Sequence, residues 1–427
     1  MNNTTRIQLS VMMFLEFFIW SAWFVTLGTF LGSNLNATGV QTGMAFSTQS
    51  WGAIIAPFII GLIADRFFNA ERILGVLHLV GAFLMYRMAN VGDFTAFYPL
   101  VLGYMILYMP TLALVNSVSF NQMKDPAKEF APIRVWGTIG WIIAGLAISF
   151  VFSWDAQEAI AGGALKNTFL MAGGASLALG VFSFFLPKTP PKVEKGEKVR
   201  IGDVLGLEAI RLLNNRNFLI FFVSSILICI PLAFYYQVTN PFLVEIGMAN
   251  VTGKMTIGQA SEVIFMLLLP VFLKRYGIKA TLLVGMAAWT IRYLLFAFGD
   301  VGELSFMLLV GIALHGICYD FFFVSGQIYT DSKAGPKIKS AAQGMITLAT
   351  YGVGMLVGFW VAGKITDANL LPDGTHTWQD VWVFPAIFAA VVFVLFAIFF
   401  RNETIQVEDV EMQDIASPEG KPDMTVS

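Results

Sequence analysis

Runs of about 20 apolar residues, the length that carries a helix across ~30 Å of hydrocarbon, recur along this chain and leave little choice of fold. Twelve can be drawn, at roughly 8–31, 41–63, 73–91, 95–120, 132–153, 167–187, 217–243, 256–273, 280–299, 303–328, 340–363 and 381–400. The first run is too long for a signal-peptide core and has no small-residue cleavage pattern after it, so it reads as a retained span. Composition agrees: 57% of residues are hydrophobic and 13% charged, with mean hydropathy +0.71, against about 25% charged in a soluble domain. The expected class is an all-α integral membrane protein with twelve transmembrane helices in two six-helix bundles.

Sidedness follows from lysine and arginine. Assigning alternate loops to one face collects twenty of the 26 basic residues there and leaves Lys166, Lys254 and Lys364 opposite. Arg87, Arg134 and Arg292 remain inside spans. That bias places both termini in the cytoplasm of a multi-pass inner-membrane protein.

The longest break, Pro187 to Asn217, opens with a proline-rich basic stretch too polar to fold alone. It divides the chain into an N-terminal bundle (1–187), a central loop (188–216), a C-terminal bundle (217–400) and an acidic, disordered tail (401–427). Ile201 to Leu213 alternates apolar and charged positions as a short helix on the membrane surface would; a plain linker is the other reading. Gly61-Leu-Ile-Ala-Asp65-Arg66 is echoed by Pro270-Val-Phe-Leu-Lys274-Arg275 at the same loop of the second half. Asp65 and Arg66 suit a gating latch that pairs and releases as the chain changes shape, or a solvated turn.

Ionisable side chains inside spans carry the most information, because each costs about 3 kcal/mol at the bilayer centre unless protein or water meets it. They are Glu16, Arg87, Arg134, Glu262, Arg292 and Asp320. Arg87 and Arg292 lie near the ends of their spans and can snorkel to the surface. Arg134, Thr138 and Trp141 share one helix face, while Gly137, Gly140 and Gly145 offer another that a neighbouring helix can approach closely. Gln237 with Asn240, and Gln259 with Glu262, repeat a three-residue spacing on successive spans; His315, Tyr319 and Asp320 cluster within a turn and a half of a third. Gly354 and Gly358 form a packing motif. Cys229 and Cys318 lie in apolar runs and read as buried thiols.

Several stretches resemble the bacterial nucleoside:proton symporters of the major facilitator superfamily. They are Trp20-Ser-Ala-Trp23, Tyr108-Met-Pro110-Thr-Leu, Pro132-Ile-Arg134-Val-Trp136-Gly137-Thr138-Ile-Gly140, Gln259-Ala-Ser-Glu262 and Arg275-Tyr-Gly-Ile-Lys279, with the Gly-x-x-x-Asp-Arg turn after the second span. The resemblance implies a proton-driven nucleoside importer. It carries a substrate-binding role to Arg134, Thr138, Gln237, Asn240, Gln259, Glu262 and Asp320, and extends to Trp141, His315 and Tyr319. Trp141, His315 and Glu16 depart from the family's usual residues. Chemistry fits: amides and carboxylates suit a hydroxyl-rich sugar, and Trp141 and Tyr319 suit a flat base. Interhelical hydrogen bonding is the structural alternative for each amide.

Proton coupling needs a carboxylate whose protonation changes in the cycle, and Asp320, Glu262 and Glu16 are the choices in that order. Arg134 then has three partners to choose from: Glu262, Asp320 and substrate. A membrane enzyme would want a nucleophile–base or metal cluster, and His78, His315 and His376 form none in the sequence. No metal, cofactor or nucleic acid is expected; the partners are nucleoside, protons and lipid, for a monomer. A same-fold proton symporter for a sugar or other polyhydroxylated molecule remains the alternative.

Overall fold

The computed structural model describes residues 1–59, 68–191, 207–335 and 338–403. Helices make up most of these, and the β structure among the described residues is one isolated antiparallel bridge, Leu370 to His376. Nine helices among the described residues are long and apolar enough to cross a membrane. Two further helices, Gly39–Ile59 and Lys166–Ser183, lie on the second and sixth expected runs. The longest helix, Val251–Phe298, takes in two expected runs and is broken at Gly277, whose φ of 75° and ψ of 174° suit glycine and no side chain. The break falls within the basic stretch Lys274 to Lys279 that the sequence marks as a loop.

Apolar side chains face outward along these helices. Phe83, Val151, Phe185, Ile387 and Ile398 are all exposed, as lipid-facing positions should be and as a soluble surface would not tolerate in such number. Arg87 is exposed as expected, but Arg292 does not reach the surface. It is fully buried between Trp289 and Phe296, whose ring centroids lie 5.8 and 5.9 Å from its guanidinium carbon. Aromatic faces and a neighbouring histidine hold this charge inside protein instead. Cys229 and Cys318 are buried free thiols. Asp65 and Arg66, read as a gating latch or a solvated turn, the stretch 201–206 and the tail beyond 403 lie outside the described residues.

Contacts divide the chain into two compact units. The first takes described residues within Met1–Glu197, Ala233–Gln259 and Leu356–Trp378; the second takes those within Lys198–Leu232, Ala260–Met355 and Gln379–Ser427.

In the first unit the Ala131–Leu146 helix lies along the Asn3–Phe24 helix because glycine removes the side chains between them. A methyl group at Gly140 would strike the backbone carbonyl of Phe14, and one at Gly137 would come within 2.6 Å of the Phe17 ring. Gly145 serves a different neighbour, since a methyl there would meet Thr256 at 2.5 Å.

Two acids in this unit cap helices distant in sequence. Asp367 accepts from the backbone N–H groups of Gly39 and Val40, the latter at 2.9 Å, at the start of the Gly39–Ile59 helix. Asp155 accepts from the Thr252 N–H at 2.9 Å and from the Ser149 hydroxyl, which itself accepts from the Gly253 N–H at 2.7 Å, at the start of the Val251–Phe298 helix. The acids are 212 residues apart, and so are the helix starts Gly39 and Val251. Each carboxylate satisfies donors that a helix leaves unpaired and meets the positive end of its dipole.

In the second unit Gly354 does the packing work expected of it, since a methyl there would come within 2.7 Å of Cys229 and 2.8 Å of the Ile226 carbonyl.

Replacing Gly140 with valine should lower the unfolding midpoint in detergent, by the equivalent of about 1–3 kcal/mol for an overpacked contact. Gly174→Ala, where nothing lies within 4 Å, should be neutral or stabilising by up to about 1 kcal/mol. Equal losses at both positions would contradict this packing.

Candidate functional site

The face of the Ala131–Leu146 helix that carries Arg134, Thr138 and Trp141 is half-buried along its length. Arg134 lays its guanidinium over the Phe17 ring, with Cζ 4.0 Å from the centroid, an arrangement that holds a cation by the ring's quadrupole. Two turns on, Trp141 stands edge-on to Trp20 at 5.7 Å, and its carbonyl accepts from the Ser21 hydroxyl at 2.9 Å. Trp20 is also edge-on to Tyr108 at 5.7 Å and to Phe24 at 5.9 Å. The result is a wall of aromatic rings meeting edge to face, and Phe24 extends it to Tyr236 at 6.1 Å.

A cavity opens against this wall inside the first unit. Trp141, Phe24, Tyr236, Ser21, Thr256 and Gln259 are among the residues lining it. The space is about 20 Å³, a little above the ~10–15 Å³ that one water requires. Pockets for drug-sized ligands run to some 300–1,000 Å³, so the walls must part before a larger molecule enters. The chemistry of the lining is already clear: flat aromatic faces beside hydroxyls and one side-chain amide.

Of the expected amides, Gln259 lines the cavity, whereas Asn240 is engaged elsewhere. Its Oδ1 accepts from the Thr29 hydroxyl at 2.6 Å, and its Nδ2 meets the Met255 sulfur at 3.6 Å. Gln237 donates from Nε2 to the Gly39 carbonyl at 3.2 Å, while its buried Oε1 has no hydrogen-bond partner among the described residues. Both amides of this three-residue pair thus tie helices together, and Gln237 in addition keeps an acceptor open.

The second unit gathers Glu262, His315, Tyr319 and Asp320. The backbone of Gly316 packs against that of Ser261 and Glu262, which brings the two polar spans together; a methyl at Gly316 would come within 2.6 Å of the Glu262 nitrogen. Asp320 is fully buried, both carboxylate oxygens lack hydrogen-bond partners among the described residues, and the charge of Glu262 bears on it. It sits in a π-helical stretch, Tyr319–Val324, a rare local widening that often marks functional positions. A second such stretch, Leu348–Gly354, carries Tyr351, whose hydroxyl is 3.0 Å from that of Tyr319. His315 Nδ1 lies 3.3 Å from an Arg292 guanidinium nitrogen; guanidinium only donates, so Nδ1 accepts. Glu16, in the first unit, is buried against His78 and Thr111.

Several residues here escape a reading of spacing alone. Phe17, Phe24, Tyr235 and Tyr236 look like ordinary span residues; the pair Tyr235-Tyr236 directly before Gln237 was the available signal. Tyr351 and Arg292 become visible only once their helices are placed.

Comparison with known proteins decides the family. The model of the nucleoside H+ symporter family matches residues 1–405. The chain belongs to that family. Its relatives include YegT of Escherichia coli (strain K12), provisionally named a nucleoside transporter, which is 43% identical over 98% of this chain and 99% of its own length. The xanthosine permease of the same organism is 35% identical over 92% of this chain and 94% of its own. Among solved structures, the crystal structure of the nucleoside transporter NupG superposes with a TM-score of 0.84 at 30% identity, covering 94% of this chain and all of that one. The fold is that of the major facilitator transporters.

For this family member, Asn240→Ala should lower thermal stability by roughly 0.6–2 kcal/mol, the range for an interhelical hydrogen bond in a membrane. Gln237→Ala should instead weaken nucleoside binding, by up to about tenfold for one lost hydrogen bond, with a smaller change in melting. Calorimetric titration and thermal unfolding of the two variants separate the roles.

Proposed function

We propose that this protein is a proton-coupled nucleoside importer, working by alternating access as a multi-pass monomer of the bacterial inner membrane and not as an enzyme. The observation that carries the reading is the family match over residues 1–405. The character of the cavity supports it. A nucleobase is flat and π-rich, and Trp141, Phe24 and Tyr236 present ring faces and edges to it. Ribose is a cluster of hydroxyls, and Gln259, with Ser21 and Thr256, offers donors and acceptors. Arg134 and Thr138 continue the Trp141 face, and the open acceptor of Gln237 adds to the recognition set.

Asp320 is the group we assign to proton coupling, with Glu262 as its electrostatic neighbour. Two carboxylates near one another inside a membrane cannot both stay charged without a large penalty, so binding of a proton to one answers the charge of the other. His315 and Tyr319 line the same stretch and complete its hydrogen-bonding capacity. The chain halves 1–187 and 217–400 serve as the two rocking bundles, joined by 188–216 and followed by the tail 401–427; the 212-residue offset between the two capped helices supports a duplicated design. Both termini are cytoplasmic on the strength of the basic-residue bias.

The test is uptake into proteoliposomes under an imposed pH gradient, across a panel of nucleosides, free bases and sugars. Uridine or adenosine should accumulate and should block labelled uptake where glucose and fucose do not. Asp320→Asn should abolish the stimulation by the gradient; gradient-driven accumulation that survives this change would remove Asp320 from the mechanism.

A further inference from the structure

A second buried acid, Glu16, lies in the first unit with a partner set of its own. Glu16 and His78 are 0% and 2% exposed, on the Asn3–Phe24 and Ala70–Ala89 helices, with Glu16 Oε2 2.9 Å from His78 Nε2. On the far side of the imidazole, Nδ1 is 3.1 Å from the Ser176 hydroxyl, which also lies 2.9 Å from the His78 carbonyl. On the far side of the carboxylate, Oε1 is 2.6 Å from the Thr111 hydroxyl, which also meets the Tyr108 carbonyl at 2.5 Å.

Counting hydrogens shows what this arrangement lacks. Of its two contacts the Ser176 hydroxyl makes the shorter, 2.9 against 3.1 Å, with the His78 carbonyl; with its one hydrogen placed there, Nδ1 supplies the hydrogen for its own contact with Ser176. A neutral imidazole has one N–H; Nε2 is then bare and faces a carboxylate oxygen at 2.9 Å. Two lone pairs at that distance repel, and a proton between them, carried as carboxylic O–H or imidazolium N–H, makes the contact a bond. Thr111 poses the same question, because its single hydrogen lies between two acceptors. With the carboxylate ionised and the imidazole neutral the cluster carries an uncompensated charge in a fully buried place; one added proton removes it.

Resting on the proton-symport reading above, we propose that Glu16 and His78 together hold a transported proton, forming a proton station in the first unit separate from Asp320, with Ser176 as the positioning residue that fixes the imidazole tautomer. The proton enters the Nε2–Oε2 contact and leaves from it; no bond other than that N–H or O–H forms or breaks. The station is wired to the cavity wall. Glu16 lies one turn before Trp20, which stands edge-on to Trp141, and the Tyr108 hydroxyl donates to the Glu16 carbonyl at 2.7 Å while its ring meets Trp20. Separation of Trp20 from Trp141 as the walls part therefore pulls on the helix that carries Glu16.

The other titratable groups near the pair are few. The Phe94–Asn121 helix contributes Tyr104 and Tyr108, and the Ala131–Leu146 helix contributes Arg134 as its one charged residue. The Lys166–Ser183 helix faces the pair with Ser176 and carries charge only at Lys166, its first residue. Glu71, Arg72 and Arg87 lie toward the two ends of the helix that bears His78. Among the described residues, His78 is thus the group able to become a cation that touches the Glu16 carboxylate directly.

The full chain in proteoliposomes tests this through two rates, accumulation of labelled nucleoside under a pH gradient and counterflow without one, each measured across pH. In Glu16→Gln and His78→Asn the ratio of gradient-driven accumulation to counterflow should fall by about tenfold or more. In Ser176→Ala, the mildest change and the one that answers if the other two fail to insert, the midpoint of the pH profile should move by about one unit, a tenfold change in proton affinity. A cluster that is only structural lowers both rates in step and leaves the midpoint where it was, and that result overturns the proposal while unaltered protein still shows coupling. Absence of gradient-driven accumulation in the unaltered protein would instead refute the proton-symport reading itself.

Discussion

A charged or polar group enclosed by hydrocarbon must be met by another side chain, and in this protein the partners come from different helices. That requirement, more than helix propensity, fixes which spans lie together. Glu16 meets two helices besides its own, through His78 and Thr111, and His78 in turn meets a third through Ser176. Arg292 is held by His315 and by two aromatic rings. Asn240 ties to Thr29 across 211 residues of sequence. Glycine then does the complementary work, letting the backbones come close enough for short side chains to reach.

The rule is left incomplete at several buried groups. Asp320 has both oxygens without hydrogen-bond partners among the described residues, and Gln237 keeps an open Oε1, a condition shared by Gln49 Oε1, Asp155 Oδ1 and several buried hydroxyl and indole groups. Unsatisfied acceptors inside a bundle are costly to keep, and under the proton-coupling reading Asp320 sheds that cost whenever it takes up a proton. The aromatic wall of Trp20, Trp141 and Phe24 shows the opposite property: its rings already have neighbours, and parting them for a ligand exchanges one set of contacts for another.

Much of this was legible from residue order. Hydropathy alone located the helices, including the break near Gly277, because a span must be apolar for its whole length and a basic turn must lie outside it. The Arg134, Thr138 and Trp141 face was readable from helical spacing, and the family motifs named the chemistry. Partnership was not readable. Nothing local distinguishes Gln237 from Asn240, three residues apart, yet Asn240 binds Thr29 and Gln237 keeps an acceptor free. Arg292 looked fit to snorkel because its span ends nearby; burial between Trp289 and Phe296 depends on rotation about the helix axis, which hydropathy does not encode. His78 gave no signal either, since a lone histidine in an apolar run acquires meaning only from the carboxylate placed beside it.

The two capped helices exchange partners between the halves of the sequence. Asp155 belongs to the first half of the sequence and caps a helix of the second; Asp367 belongs to the second and caps a helix of the first. A polypeptide holding one repeat would leave its acid and its helix start without mates, while two copies set face to face would satisfy both by the same contact used twice. That is the isologous exchange of a symmetric dimer. In the present chain one polypeptide makes that contact twice, so each half of the sequence supplies the cap for a helix of the other.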